Sequence, residues 1–247
     1  MKITGAVMTL NEEGMLAACL RSLAWCDEVL VVDSGSTDST RSIAEQAGAR
    51  VLTHAFTGFA DQRNFMLEQA ANPWVVMLDA DERLPENAET LIRTVVSSDD
   101  YVAYRFPRKS FYLRRWIRHG GWYPDYQTRL LRKDRNRFVR NTVHERVDSQ
   151  GPVGTLSVEI HHQPFASMAE QVETNNRYSG LLASDMRDHK LWIALVNVFV
   201  KPVTKFVECY VVKRGFMDGF PGFFIAVSAA YSVFLKWSKV WELKRQA

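Results

Sequence analysis

Four short apolar runs alternate with longer amphipathic stretches over the first hundred residues of the chain. Each run is rich in aliphatic residues and bounded by polar or turn residues, which is typical of strands buried on both faces. The runs predict strands at residues 3–8, 28–32, 50–53 and 74–78. The stretches between them predict helices that follow residue 13 as far as about 25, and that cover 37 or 38 to 48, 59–71 and 85–96.

This alternation predicts an α/β fold with a mostly parallel sheet flanked by helices. In such sheets, ligands bind beyond the carboxyl ends of the strands. Three polar clusters fall at those ends, at residues 9–12, 33–36 and 79–82. The pattern therefore predicts one binding site built from three loops.

The last of these clusters contains two carboxylates one residue apart, Asp79 and Asp81, directly after an apolar strand. Buried carboxylates need a cation or hydrogen-bond donors. Either both carboxylates bind one hard divalent ion, or one binds a sugar hydroxyl and the other binds the ion. A third reading gives Asp81 or Glu82 a capping role at the helix of residues 85–96.

Phosphate binding must rest on other groups, because the turn after Asp33 has neither a GxGxxG pattern nor a P-loop lysine. A metal ion and basic side chains would then meet a diphosphate. Arg63, which lies near the start of the helix at 59–71, is one candidate. The alternative is that Arg63 is a solvated surface residue.

Composition and charge add two features to this picture. The 247 residues carry a net charge of +3, but residues 105–140 hold twelve Lys and Arg against two Asp. Residues 201–247 hold eight basic side chains against three acidic ones, so we expect two anionic partners. The three cysteines form no CxxC pair, and the start of the chain does not have the pattern of a signal peptide; both favour a cytosolic location.

The order of motifs resembles the inverting glycosyltransferases of family 2. These motifs are NEE after the first strand, VVDSGSTDST, QRN at a helix start, and LDADE. The resemblance implies a Rossmann-like GT-A fold, a nucleotide-sugar donor (a UDP-sugar) and Mg²⁺ or Mn²⁺. It places Asp81 on the metal, Asp79 near the ribose and Arg63 near the diphosphate. The remaining implied nucleotide-sugar contacts are Thr9, Asn11, Glu12, Asp33 and Ser34, the last standing where many members carry a second aspartate.

The second half begins with a predicted strand at residues 101–106, followed by a stretch rich in aromatic and basic residues. Aromatic rings and arginines stack on sugars and bind phosphates. Nucleic acid is the alternative partner, but the stretch lacks a single-strand-binding pattern, so we expect none. Arg129 and Arg132 are candidates for the donor diphosphate or for a phosphorylated acceptor.

A subgroup of the family carries WxPxxQxRL followed by His-Glu, which this chain matches at Trp122 to Leu130 and at His144-Glu145. The resemblance implies that His144 and Glu145 lie at the acceptor site. Glu145 is then the candidate catalytic base, with Asp125 as the second candidate. A later histidine, His162, either completes the metal site with Asp81 or is an ordinary polar residue at a strand end.

The C-terminal part combines apolar stretches with flanking lysines and tryptophans. The uncharged run of residues 220–235 is shorter than the roughly 20 residues of a membrane span, and Pro221 and Gly222 interrupt it. We therefore expect interfacial helices on an anionic leaflet, with a core extension or a dimer interface as alternatives. The predicted domains are 1–165, with donor binding in 1–100 and acceptor binding in 101–165, and a helical extension at 166–247.

The resemblance extends, through RGFMDGFPGF near the C-terminus, to glucosyltransferases of lipopolysaccharide core synthesis. It implies transfer of a hexose, expected to be glucose, to an inner-core heptose by a peripheral protein at the cytoplasmic face of the inner membrane. The acceptor is then a glycolipid or oligosaccharide, and the protein is a candidate homo-oligomer. Alternatives are a peptide or another polysaccharide as acceptor, or a sugar-nucleotide-binding protein without catalysis.

Overall fold

The structure is a computed structural model that describes residues 1–140, 145–184, 186 and 191–246. The strands are β1 (Ile3–Thr9), β2 (Glu28–Asp33), β3 (Arg50–Thr53), β4 (Trp74–Asp79), β5 (Glu82–Arg83), β6 (Ala103–Tyr112), β7 (Arg115–Trp116), β8 (Asp125–Arg132), β9 (Asn136–Arg140), β10 (Glu145–Ser149), β11 (Val153–Thr155) and β12 (Ile160–His162). The helices are α1 (Leu16–Ser22), α2 (Thr40–Gln46), α3 (Phe59–Gln69), α4 (Ala88–Val95), α5 (Met168–Ser184), α6 (Leu191–Val207) and α7 (Gly219–Gln246).

The chain divides into two compact units. The first comprises Met1–Arg108 and Tyr126–His162, and the second comprises Lys109–Asp125 and Gln163–Ala247. Residues 109–125, which the sequence placed with the acceptor-binding part of the first domain, thus belong to the second unit. The predicted division after residue 165 remains a prediction.

The main sheet, most of which belongs to the first unit, has the order β3-β2-β1-β4-β8-β6-β12-β5, with β11 also paired to β6. The first four neighbours run parallel, as predicted. Beyond them β8 runs antiparallel to β4, and its register sets Arg132 opposite Trp74. This antiparallel pairing was not predicted, and the sheet beyond β4 is mixed, since β11 runs parallel to β6. Beside it, β9 and β10 form a separate antiparallel pair.

Strand β4 shows why the predicted strands are apolar throughout. Val76 and Leu78 join the core on one face of the sheet, whereas Val75 and Met77 join the core on the other face. Because successive side chains point to opposite faces, a strand covered on both faces needs apolar residues at every position. The strand ends at Asp79, where the chain leaves the sheet.

Helix α4 begins later than predicted, at Ala88, and its N-cap residue is Asn87. The expectation that Asp81 or Glu82 caps this helix is wrong. Glu82 belongs to β5, which pairs with β12, and its side chain is fully buried. A carboxylate buried among charged donors cannot also serve a helix end six residues away.

The second unit contains α5, α6 and α7, which pack through Ala183, Ala194, Trp237 and Val240. Here the predicted interruption at Pro221 and Gly222 is wrong, since both residues lie in the first turn of the continuous helix α7. Proline is tolerated there because the first amides of a helix have no acceptor within the helix. Helix α7 also continues past residue 235 through charged residues.

Among the described residues, one helical segment, Gly215–Arg245, has the length and apolar composition to cross a membrane. Only 28% of its most apolar window is buried inside the protein. Length and composition alone are weak evidence for a span. The interfacial position expected from the sequence therefore remains a prediction.

The turn before α7 brings two glycines into close approach. A Cβ atom on Gly222 would overlap the carbonyl oxygen of Gly215, and one on Gly215 would lie 2.7 Å from the carbonyl oxygen of Cys209. Asp218 lies between these glycines in the sequence, and its side chain is buried. It accepts hydrogen bonds from the backbone amides of Arg118 (3.0 Å) and His119 (2.8 Å). This carboxylate ties the segment 109–125 to the C-terminal helices within the second unit.

Candidate active site

The loops that follow β1 and β2 are joined through Asn11. Its side-chain oxygen accepts a hydrogen bond from the backbone amide of Thr37 at 2.8 Å, and the backbone amide of Asn11 donates to Ser36 Oγ at 2.8 Å. Asn11 has a φ of 55°, a left-handed conformation that asparagine tolerates better than most residues. The next amide, that of Glu12, donates to Thr40 Oγ1 at 2.7 Å. The structure thus brings the first two predicted loops together.

Asp33 shapes its own loop. Its carboxylate is buried and accepts hydrogen bonds from the Gly35 amide at 3.1 Å and from both the amide and the hydroxyl of Ser36. The neighbouring Ser34 hydroxyl accepts from Gln62 Nε2 at 3.1 Å. The family resemblance implies that Asp33 and Ser34 contact the nucleotide, and this remains a prediction.

Thr9, at the end of β1, has a different environment. Its hydroxyl is buried and has no hydrogen-bond partner within the described part of the chain. A buried hydroxyl without a partner is costly, so its location beside the binding edge favours a ligand contact.

Two arginines from separate elements converge on Asp79. Arg63 of α3 donates through one terminal nitrogen to both carboxylate oxygens, at 2.9 and 3.2 Å, and Arg129 of β8 donates to Oδ2. Both guanidinium side chains are about 95% buried. The alternative that Arg63 is a solvated surface residue is therefore wrong.

Glu82 extends this cluster. Its Oε1 accepts from Arg129 at 2.8 Å and from Arg108 at 2.9 Å, while Oε2 accepts from the Asp79 amide at 3.1 Å. Three arginines thus surround two carboxylates, which leaves one net positive charge. We name these five residues, Arg63, Asp79, Glu82, Arg108 and Arg129, the arginine cluster.

The pKa values of Asp79 and Arg129 are both shifted within the cluster. Burial raises the pKa of Asp79, but the charges of Arg129 and Arg63 outweigh it and hold that pKa well below its usual range. Burial lowers the pKa of Arg129, whereas Asp79 and Glu82 raise it further, so the net shift is upward. Asp79 and Arg129 are therefore both charged at neutral pH.

Asp81 and His162 lie side by side. His162 Nε2 is 3.2 Å from Asp81 Oδ2, since β12 pairs with β5 directly after Asp81. The other oxygen, Oδ1, is buried and has no hydrogen-bond partner among the residues that the structure describes. An acidic oxygen in that state fits a divalent cation.

The set of side chains that could ligate a metal ion is small. Residues 1–140, 145–184, 186 and 191–246 contain no group of three or more His, Cys, Asp or Glu side chains placed to hold a metal ion. Mg²⁺ in nucleotide enzymes needs only one or two protein carboxylates, because phosphate oxygens and water supply the other ligands. Asp81 with His162 therefore suits an ion that arrives with a diphosphate.

Arg132 does not belong to this site. The antiparallel register places it at the amino end of β4, where it pairs with Asp99 at 3.1 Å and Asp134 at 3.2 Å. The hypothesis that Arg129 and Arg132 act together on a phosphate is therefore wrong. Residues three apart on a strand point to opposite faces and are separated along it.

The predicted acceptor residues are only partly described. His144 lies outside the described residues. For Glu145 only the backbone is described, as the first residue of β10, opposite Arg140. Asp125 begins β8 and is partly exposed. The catalytic roles of all three remain predictions.

Two members of the arginine cluster were missed in the sequence. Glu82 follows Asp81 directly, yet its side chain points into the protein, and Arg108 lies 26 residues further along. The available signal was an acidic triplet followed by a stretch in which arginines outnumber acids. That surplus predicted an anionic partner but not which arginines pair with carboxylates.

Comparison with known proteins gives a consistent result. The family model described as "Glycosyl transferase family 2" matches residues 6–151, more than half of the chain. The chain is 29% identical over 249 residues to the lipopolysaccharide core biosynthesis glycosyltransferase LpsC of Rhizobium meliloti (strain 1021), covering 97% of this chain and 92% of the relative. A glycosyltransferase of Rickettsia felis is 29% identical over 256 residues, covering 98% and 90%.

Among solved structures, glucosyl-3-phosphoglycerate synthase from Mycobacterium tuberculosis, in complex with Mn²⁺, UDP and glucosyl-3-phosphoglycerate, is 24% identical. It has a TM-score of 0.39 and covers 43% of this chain and 44% of that one. The family match and the mixed sheet flanked by helices together confirm the predicted GT-A-like fold. The chain belongs to glycosyltransferase family 2 and is related to enzymes of lipopolysaccharide core biosynthesis.

Proposed function

We propose that the protein is an inverting, metal-dependent glycosyltransferase that moves a hexose, glucose in the first instance, from a UDP-sugar to a heptose of the lipopolysaccharide inner core. It acts as a peripheral protein at the cytoplasmic face of the inner membrane. The observation that carries the proposal is the Asp81–His162 pair, with its unsatisfied buried oxygen, directly after β4 and next in sequence to the arginine cluster.

This arrangement supports donor binding. Asp81 and His162 would hold Mg²⁺ or Mn²⁺, and a cation there would act as a Lewis acid on the leaving diphosphate. Arg108 is the most accessible guanidinium of the cluster, with 21% of its side chain exposed, against 5% for Arg63. The net positive charge of the cluster stabilises the negative charge that develops on the leaving nucleoside diphosphate.

Orientation of the donor rests on the joined loops. Thr9 Oγ1 needs a partner, and the Asn11–Ser36 linkage fixes the backbone around it. We assign the nucleoside part of the donor to this region, with Asp79 beside the ribose. The pairing of Asp79 with two arginines means that the ribose would meet a carboxylate already fixed in direction.

Inversion requires one displacement at the anomeric carbon, with a base that removes the proton from the acceptor hydroxyl. We assign this role to Glu145, and Asp125 is the second candidate. The acceptor assignment is supported by the near full-length match to a lipopolysaccharide core biosynthesis enzyme. The excess of basic side chains in residues 105–140 suits an acceptor that carries phosphate or other anionic groups.

The test is metal-dependent donor binding by the Asp81→Ala variant, measured by calorimetry with UDP-glucose in the presence and absence of Mn²⁺. We expect the variant to lose the Mn²⁺-dependent part of the affinity. The fold should persist, because Asp81 contributes no apolar packing whose loss would leave a cavity. Asp134→Ala is the matched control, since Asp134 is an exposed partner of Arg132 away from the site.

Two results would decide against the proposal. Equal Mn²⁺-dependent affinity in Asp81→Ala and in the unmodified protein would remove the metal role. Absence of any binding or hydrolysis of nucleotide sugars by the unmodified protein, across a panel of UDP- and ADP-sugars, would remove the donor assignment altogether.

A further inference from the structure

Exposed apolar side chains are concentrated on one part of the second unit. Among the described residues, seventeen of the twenty-seven large hydrophobic side chains that remain exposed lie between residues 191 and 234. Phe199 is 69% exposed, Val212 70%, and Trp192 and Phe220 64% each. A patch of this kind on a soluble surface marks a partner-binding face.

Helices α6 and α7 form an apolar groove within this face. Its volume is about 470 Å³, and its walls include Phe199, Pro202, Val203, Val227, Tyr231 and Phe234. The groove is open along its length, and its lining carries very little polar surface. Its shape and chemistry fit a hydrocarbon chain better than a sugar, which needs hydrogen-bonding partners.

Three lysines lie within a few residues of the groove-lining positions on α6 and α7. Lys201 directly precedes the groove residue Pro202, Lys205 lies one turn further along α6, and Lys236 follows Phe234 by two residues on α7. Burial lowers the pKa of Lys236, and the charges of Lys201 and Lys205 lower it further. The two lysines of α6 thus act on Lys236 of α7, in keeping with a groove whose walls come from both helices.

Most of this positive charge is not neutralised by the protein. Lys205 pairs with Glu208, but Glu208 is shared with Lys213. Within the part of the chain that the structure describes, neither Lys201 nor Lys236 forms an ion pair with a carboxylate. Like charges held together without a counter-ion favour an anionic ligand.

We propose that the face formed by α6 and α7 binds an anionic phospholipid bilayer, with lipid phosphates at Lys201, Lys205 and Lys236 and an acyl chain in the adjacent groove. Charge argues against a second copy of this chain as the occupant, because a copy would present the same lysines. The acids nearby are already engaged: Glu208 with two lysines, and Asp218 with the ring of His119 at 3.0 Å.

This inference deepens the peripheral location in the proposed function, and it names the surface and the ligand. Its test does not depend on sugar transfer. Vesicle binding and donor binding are measured separately on the same preparations. If the unmodified protein binds donor but not vesicles, the lipid surface alone is refuted, and if it binds vesicles but no donor, the donor assignment alone is refuted.

The experiment uses the full chain, since removal of α7 would take Ile225 from its cluster with Tyr112 and Ile117 and disrupt the second unit. Binding is measured by co-sedimentation with vesicles of phosphatidylcholine containing 30 mol% phosphatidylglycerol, and with phosphatidylcholine alone. We expect the unmodified protein to prefer the anionic vesicles, and this preference to fall as salt rises from 0.1 to 1 M. Equal binding to both vesicles at every salt concentration would overturn the role of the lysines.

The charge variant is Lys201→Gln with Lys236→Gln. Each basic residue near an anionic surface contributes to the free energy of membrane binding, and the loss of two such contributions should weaken binding about thirtyfold. The matched control is Lys2→Gln with Arg21→Gln, which removes two exposed charges from the first unit and should leave binding unchanged. An equal loss in both variants would show a general charge effect and refute the site.

The apolar variant is Phe199→Gln with Val203→Gln, both strongly exposed and therefore expected to leave the thermal unfolding temperature unchanged. It should lose binding to both kinds of vesicle. Sedimentation velocity on the same samples tests the alternative occupant. A dimer that becomes monomeric in this variant, with vesicle binding retained, would assign the face to a second copy and overturn the lipid proposal.

Discussion

Replacing Glu82 by glutamine should sharply destabilise the first unit. All three partners of this fully buried carboxylate are donors: Arg129, Arg108 and the Asp79 amide. A glutamine keeps one acceptor oxygen but sets an NH₂ group against a donor. It also raises the net charge of the arginine cluster from +1 to +2 in a poorly solvated place.

The magnitude follows from these contacts. Hydrogen bonds that involve charged groups contribute about 1.5–3 kcal/mol each, and removal of one partner from a buried ion pair costs about 3–5 kcal/mol. We take about 3–5 kcal/mol for Glu82→Gln. For a chain of this size, 1 kcal/mol corresponds to about 2–4 °C in Tm, so the midpoint should fall by roughly 6–20 °C.

The assay is thermal unfolding followed by circular dichroism, with Glu89→Gln as the control. Glu89 also pairs with an arginine, Arg93 at 2.9 Å, but 44% of its side chain is exposed. Its replacement should change stability by less than about 0.5 kcal/mol, because water screens exposed pairs. Equal shifts in the two variants would refute the view that the cluster is a buried, charge-balanced unit.

Two further predictions concern catalysis and pH. Glu145→Gln should reduce turnover by about 10²–10⁴-fold with donor affinity little changed, whereas loss of transfer in Asp125→Asn alone would move the base to Asp125. Glu28→Gln should be less stable than the unmodified protein at pH 7, and the difference should shrink as the pH falls below the ordinary glutamate pKa of 4.5. Burial raises the pKa of Glu28, but Thr4, the Ala71 amide and Arg50 together lower it, so the unfolded state takes up its proton first on acidification. A constant difference from pH 7 to pH 3 in urea unfolding would contradict this sign.

The parallel half of the sheet was predictable because its signal is local. A strand buried on both faces must be apolar at successive positions, and β4 shows that pattern in its first five residues, before Asp79. The carboxyl ends of such strands meet at one edge, which is why the loops at Asn11 and Ser36 could be predicted to lie together. Both arguments need only the chain order and the strand period.

The arginine cluster could not be derived in the same way. Arg129 reaches Asp79 only because β8 inserts antiparallel beside β4, and the two residues are fifty positions apart. A one-residue slip of that register would turn Arg129 to the other face of the sheet. Sequence spacing therefore predicted the types of residue at the site, and tertiary pairing decided that Arg129 contributes while Arg132 does not.

The close approach of Gly215 and Gly222 bears on how this protein diverges from its relatives. Neither position has room for a side chain, because the neighbouring atoms are backbone carbonyls that cannot move aside without breaking the turn. Substitution at either glycine should therefore be rejected even in chains that have changed their donor or acceptor. The two glycines, seven residues apart, would then be retained with the helical unit even where donor or acceptor specificity has changed. A chain that keeps Asp81 and His162 but lacks these glycines would be expected to carry a different C-terminal part.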